Sequence, residues 1–275
     1  MFSSNAFAAV SGSLPAGFMQ WYVGLMIVAV IVGTVADMIH KGSAKYFFAN
    51  ARKTRAQGKP VNKASIAVKT VAVDVLASGE FCNPRRRVAH LLTMYGFILY
   101  VVTTALMVFV YPTAATPTPA LVSQLWWLGG LMVMVGGYWF WFFIRVDVAA
   151  EGSSPLRLMR ADLFILSLLA SVTAGLLWAW LQASGSAASW PFFGLYLLAT
   201  TVLFCGVYWS KFAHMFFKPA AAFDKRVAEA DGTNMNLPTL SRDDSAQRER
   251  HSMELLRDAP MDMGLGIKRE APRHY

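Results

Sequence analysis

Charge is what this chain has least of. Only 15% of its 275 residues are Asp, Glu, Lys or Arg, against 56% hydrophobic. A soluble domain of this length needs more charge and an amphipathic period to cover its surface. Cysteine is scarce too: two occur, Cys82 and Cys205. A cubane iron–sulfur cluster takes four thiolates, so the chain holds none of its own. One cysteine lies in a basic loop and the other inside an apolar run, which argues against a disulfide. There is no glycine-rich dinucleotide fingerprint and no nucleophile–base pairing, so group transfer by this chain itself is not expected. No internal repeat occurs. Three stretches, 1–16, 112–121 and 183–190, lack Lys and Arg altogether.

Long apolar runs are what the sequence does have. Five span about 17–39, 88–111, 122–144, 162–182 and 191–216. Roughly 20 apolar residues cross the ~30 Å hydrocarbon layer of a bilayer. Lipid offers no partner for exposed amides, so these segments must be helical. The expected fold is an all-α membrane protein, a five-transmembrane-helix bundle. Orientation follows from the basic residues. Segment 40–87 carries eleven Lys and Arg against two acids, equal to the whole net charge of +9. The positive-inside rule puts that insert in the cytoplasm, the N-terminus outside and the C-terminus cytoplasmic. Trp21, Trp126, Trp127, Trp178 and Trp190 then fall at the outer interface, where indole rings prefer to sit. The first run is no cleaved signal peptide, since no basic residue precedes it and it is long enough to span.

Three regions follow: a short external N-terminus (1–16), a membrane domain (17–217) with the basic insert 40–87, and a cytoplasmic tail (218–275). The first part of the insert extends the first helix as far as Gly58-Lys59-Pro60. The second, "VNKASIAVKTVAVDVLASGE", reads as a short interfacial helix ended by Gly79. A basic loop resting on anionic lipid headgroups explains the same residues. The charge is absorbed by topology, and no nucleic acid is expected as a partner. The tail holds ten basic and ten acidic residues, with Pro238, Pro260 and Pro272 among its prolines. It is expected to be partly disordered, or ordered by a cytoplasmic partner, with one helix over "SAQRERHSMELLRDAP".

Five histidines occur. His251 and His274 lie in the polar tail and read as solvated. His40, His90 and His214 stand toward the inner ends of the first, second and fifth helices. Ionisable residues in spans are uncommon and tend to be functional. Two imidazoles on separate helices at one depth suit the two axial positions of a haem iron. Arg86, Arg87 and Lys211 stand within about a turn of His90 and His214, where cations meet propionates. The plainer reading of each histidine is an interfacial aromatic or a helix-capping cation. For His40, at the very end of its helix, that reading is preferred. Arg145, Asp147, Arg160 and Asp162 cluster at the inner ends of the third and fourth helices. They read either as ion pairs or as a proton path. Thr173 is expected to bond its own helix backbone. Gly136, Gly137 and Gly175 read as small-residue packing.

"RRRVAHLLTMYGFILYVVTT" resembles the second helix of the nitrate reductase gamma-subunit-like cytochromes b. That family includes the membrane subunits of heterodisulfide reductase and of the quinone-interacting oxidoreductase complex. "GGLMVMVGGYWFWFFIRVD" followed by "RADLFILSLLASVTAGLL" is similar to its third and fourth helices. "WSKFAHMFFKP" resembles the ending of its fifth. The likeness covers about residues 17–220 and is greatest to the membrane anchors of adenylylsulfate reductase. It implies a haem b held by His90 and His214, exchanging electrons between a cytoplasmic flavin and iron–sulfur reductase and quinone in a bacterial inner membrane. Many members hold a second haem nearer the outside. Its ligand positions here are Tyr100 and Tyr196, and tyrosine pairs do not make a low-spin site, so one haem is expected. The alternative is a haem-free structural anchor for a redox enzyme. A small transporter is a weaker option, as no inverted repeat or midplane charge appears.

Overall fold

The computed structural model describes residues 2–41, 49, 59–79, 81, 83–146, 152, 154–209 and 214–233. The described residues form helices joined by short connections, without strands. In chain order they are α1 (Ala6–Val10), α2 (Ala16–Lys41), α3 (Lys63–Lys69, continuing as a π-helical stretch Thr70–Leu76) and α4 (Pro84–Ala105, continuing to Val110). Then come α5 (Ala120–Trp139, continuing to Ile144), α6 (Leu163–Ala183, opened by a tight turn Arg160–Asp162), α7 (Ser189–Cys205, closed by a turn Gly206–Tyr208) and α8 (His214–Ala230). Five are long and apolar enough to cross a membrane: Gly17–His40, Pro84–Val110, Ala120–Ile144, Arg160–Ala183 and Ser189–Tyr208. The protein is thus a multi-pass, all-helical membrane protein whose exposed helix faces meet lipid.

Local sequence sets the helix starts. Asn83 accepts from the amides of Arg85 and Arg86, and Pro84 fills the first position of α4, where its missing N–H costs nothing. Asn62 caps α3 through the Ser65 amide. The bundle is built from two hairpins. In the first, α4 and α5 approach backbone to backbone. A side chain at Gly129 would begin 2.8 Å from the Tyr100 amide nitrogen, so glycine is the one residue that fits. In the second, α6 and α7 share a 2.6 Å hydroxyl bond between Ser171 and Thr200. The hairpins meet where Tyr138 of α5 bonds Thr173 of α6 at 2.9 Å. The Thr173 hydroxyl therefore ties two spans together, rather than turning back on its own helix.

Helix α2 lies outermost. Its most apolar window is 11% buried, against 56% for α6. It docks on α7 through the Tyr22 hydroxyl, 2.7 Å from the Leu197 carbonyl oxygen. At the N-terminal end of the bundle, α1 folds in as a plug. Asn5 caps α1 by accepting from the Phe7 amide. It also donates to the Tyr111 carbonyl and to the Thr118 hydroxyl, both at 2.9 Å. Phe7 is thereby pushed among Trp126, Trp178 and Tyr196.

Two expectations from the sequence are corrected here. Trp126, Trp127 and Trp178 are core residues, 2%, 8% and 1% exposed, not interfacial ones; Trp21 and Trp190 stay on the surface. The α1 plug covers them, and the Trp126 indole N–H finds an internal acceptor in the Thr104 hydroxyl, 2.9 Å away. The fifth span, expected to reach 216, stops at Tyr208. Gly206 leads into a tight turn, and the following helix carries Lys218, Asp224, Lys225, Arg226 and Glu229, too polar to stay in hydrocarbon.

At the insert end, α3 and α8 are clamped together. The Arg226 guanidinium makes two bonds to the Asp74 carboxylate, 2.5 and 2.8 Å long. The Lys59 amide donates to the Asp231 carbonyl oxygen. Arg226 holds the Asp74 carboxyl below its usual range. The pair is therefore fully formed at neutral pH and is lost only as pH falls through that lowered value. A bidentate pair at the rim is worth about 1 kcal/mol. Protection factors in α8, which correct for the pH dependence of intrinsic exchange, are expected to hold steady between pH 8 and 5, to fall in stronger acid, and to be about fivefold lower at neutral pH in Asp74→Asn. Unchanged exchange in that variant would mean that the clamp does not secure α8.

Candidate functional site

His90 stands in the second turn of α4, half-buried, facing the segment that follows α3. Its Nδ1 lies 3.0 Å from the hydroxyl oxygen of Ser78. The Phe81 ring lies against the imidazole, 4.8 Å between centroids at 46°. Two cations reach the Phe81 ring: the Arg86 guanidinium at 5.6 Å and the Lys218 ammonium at 5.3 Å. Lys218 is four residues after His214, one turn along the same face of α8. The two histidine-bearing helices therefore converge on Phe81, although His214 belongs to a separate helix after the fifth span.

Of the cations expected beside the histidines, Arg86 is in place. Arg87 is turned away, its Nε donating to the Ala77 carbonyl at 2.7 Å. Lys211 and the side chain of His214 lie outside the described residues, as do Cys82, Asp147 and the tail beyond 233. Sequence reasoning passed over Lys218, Phe81 and Ser78. A lysine one turn after a candidate ligand was a readable signal; the other two become visible only when the insert folds back on α4. Among the described residues no three His, Cys, Asp or Glu side chains come together. The described side chains of this end are thus one imidazole, the Phe81 ring and two cations.

The other end of the bundle is closed. Tyr100 of α4 and Tyr196 of α7, 5% and 4% exposed, meet across Gly175 of α6. A side chain at Gly175 would begin 2.5 Å from the Tyr100 hydroxyl and 3.0 Å from the Tyr196 ring. Tyr100 stacks on Trp126 at 4.9 Å and Tyr196 on Trp178 at 5.7 Å. Phe7 packs edge-on against both tryptophans. The two tyrosines pack with Trp126, Trp178 and Phe7 into one cluster of five aromatic rings, a filled core rather than a cleft.

The charged cluster at the ends of α5 and α6 resolves into a clasp. Arg145 is fully buried and bonds Asp162 at 2.6 Å. It also donates to the carbonyls of Ser154 and Arg157, both at 2.8 Å, and lies 4.2 Å over the Trp141 ring. Arg160 stays on the surface. His40 stands at the end of α2, its ring 5.5 Å from that of Tyr208, as an interfacial aromatic does. Asp37, buried on α2 at 1% exposed, is a further residue the sequence reading passed over. No family model, curated protein or solved structure matches this chain.

Proposed function

We propose that the protein is a membrane subunit that relays electrons between a cytoplasmic flavin and iron–sulfur reductase and the quinone pool through one haem b. The reductase would be of the adenylylsulfate reductase kind. One observation carries this reading: α4 and α8, which bear His90 and His214, converge on an aromatic wall flanked by Arg86 and Lys218. Haem supplies a one-electron carrier when bound. His90 and His214 would hold its iron, while Arg86 and Lys218 suit the propionates. The likeness of "WSKFAHMFFKP" to the family's fifth-helix ending supports the same assignment. On this reading the insert and α8 face the cytoplasm, and their basic residues form a docking face that speeds encounter with an acidic partner.

A second reading has an observation of its own. The aromatic packing between Tyr100 and Tyr196 leaves the far end of the bundle without room for a macrocycle. A chain that has given up one cofactor position is also suited to a haem-free anchor for a redox enzyme.

The absorption spectrum of protein purified from haem-replete membranes separates the two. A reduced-minus-oxidised b-type band is expected, with pyridine-haemochrome stoichiometry near one per chain. Both His90→Ala and His214→Ala should abolish it. Absence of Soret absorbance in the wild type leaves only the anchor, and a stoichiometry near two overturns the single-haem assignment.

A further inference from the structure

Helix α3 ends in an unusual way. Its last turn closes with the Gly79 amide donating to the Val73 carbonyl, and the residue that turns the chain is Ser78, at φ +49°. Left-handed backbone at that position is the place for glycine, which has no Cβ to clash. The sequence has a glycine, but one residue later. A non-glycine residue in this region costs about 1 kcal/mol or more and persists where its surroundings demand it.

The surroundings are three side chains of α4. Tyr95 donates to the Leu76 carbonyl at 2.7 Å, Arg87 to the Ala77 carbonyl at 2.7 Å, and His90 meets the Ser78 hydroxyl at 3.0 Å. Three successive residues are thus fastened to one face of the helix that carries the candidate ligand. Ser78 is 2% exposed, so its hydroxyl is held away from water. Glycine at 78 would relieve the backbone and lose only the hydroxyl.

We infer that Ser78 is a positioning residue that fixes the tautomer and ring plane of His90, presenting Nε2 for ligation. The inference rests on the haem reading above. With Nε2 as the ligand, Nδ1 carries the proton and the Ser78 oxygen accepts it. Such a bond locks the imidazole and raises its basicity toward iron; its loss costs 10–100-fold in affinity in metal sites generally. The strained turn is the means by which a loop residue reaches a helix side chain from the far side of the ligand.

The test uses the full-length protein in detergent or nanodiscs, with haemin titration, redox potentiometry and the low-spin electron paramagnetic resonance signal. Ser78→Gly removes the hydroxyl without straining the backbone. It is expected to weaken haemin binding about 10–100-fold, raise the midpoint potential and broaden the low-spin signal. Thermal stability should not fall. Ser78→Asn tolerates the left-handed turn and restores an acceptor, and should recover most of the affinity. Wild-type affinity, potential and signal in Ser78→Gly would overturn the positioning role while leaving the haem intact. A wild-type protein that takes up no haemin overturns both the role and the haem reading.

Discussion

Arg145→Met is expected to destabilise the protein by about 3–5 kcal/mol, the usual cost of leaving one member of a buried ion pair behind. Arg145 has no exposed side-chain surface and Asp162 only 9%. Without the guanidinium, the Asp162 carboxylate keeps, among the described residues, a single donor, the Met159 amide at 2.9 Å. The carbonyls of Ser154 and Arg157 lose theirs as well. Arg145→Lys should recover little, because an ammonium cannot reach three acceptors in a plane while lying flat on Trp141. The double variant Arg145→Met with Asp162→Leu should recover much of the loss, as two apolar residues need no partners. Unfolding in mild detergent at neutral pH measures all three. A loss below about 1 kcal/mol in Arg145→Met would show that water reaches the clasp.

Trp178→Ala is expected to cost about 3 kcal/mol. In a bilayer the competing solvent is as apolar as the core, so burial gains little. What is lost is contact: removing an indole leaves roughly 140 Å³, at about 24 cal/mol per Å³ of cavity. Trp178 is 1% exposed and touches Phe7, Phe193 and Tyr196. Its neighbours come from two helices besides its own, which cannot both collapse inward together. Trp21→Ala, on a side chain 77% exposed, should change stability by no more than about 0.5 kcal/mol. Equal effects of the two substitutions, in the same detergent assay, would mean that the aromatic plug is not a packed core.

These contrasts show where the sequence was readable. The five spans follow from length and hydropathy, because lipid admits no other backbone solution. Asn83-Pro84 marks the start of α4 in plain text. The end of α3 was legible to within one residue, since Gly79 lies beside the turn, but the strain fell on Ser78. Trp126 and Trp178 were misplaced for a physical reason. Hydropathy separates apolar surroundings from water, and it does not separate lipid from protein interior. Whether an indole faces acyl chains or a neighbouring helix depends on α1, a five-residue helix with no signal of its own beyond its Asn5 cap. The fifth span was overextended for a related reason. "HMFF" is apolar enough to prolong any hydrophobic run, and only the charges after it show that a new helix has begun. Thr173 illustrates the limit for hydroxyls: its own backbone and Tyr138 are equally available to it in sequence.

The docking of α2 against α7 sets an order on biosynthesis. Of the five spans α2 is made before the others, and although Gln20 can meet the Val108 carbonyl of α4 early, its main partner α7 is made after the rest. Until then it waits among the acyl chains, to which its mostly lipid-facing, valine- and isoleucine-studded surface is suited. The two central hairpins can close as they emerge, and the outer helix then seals the bundle.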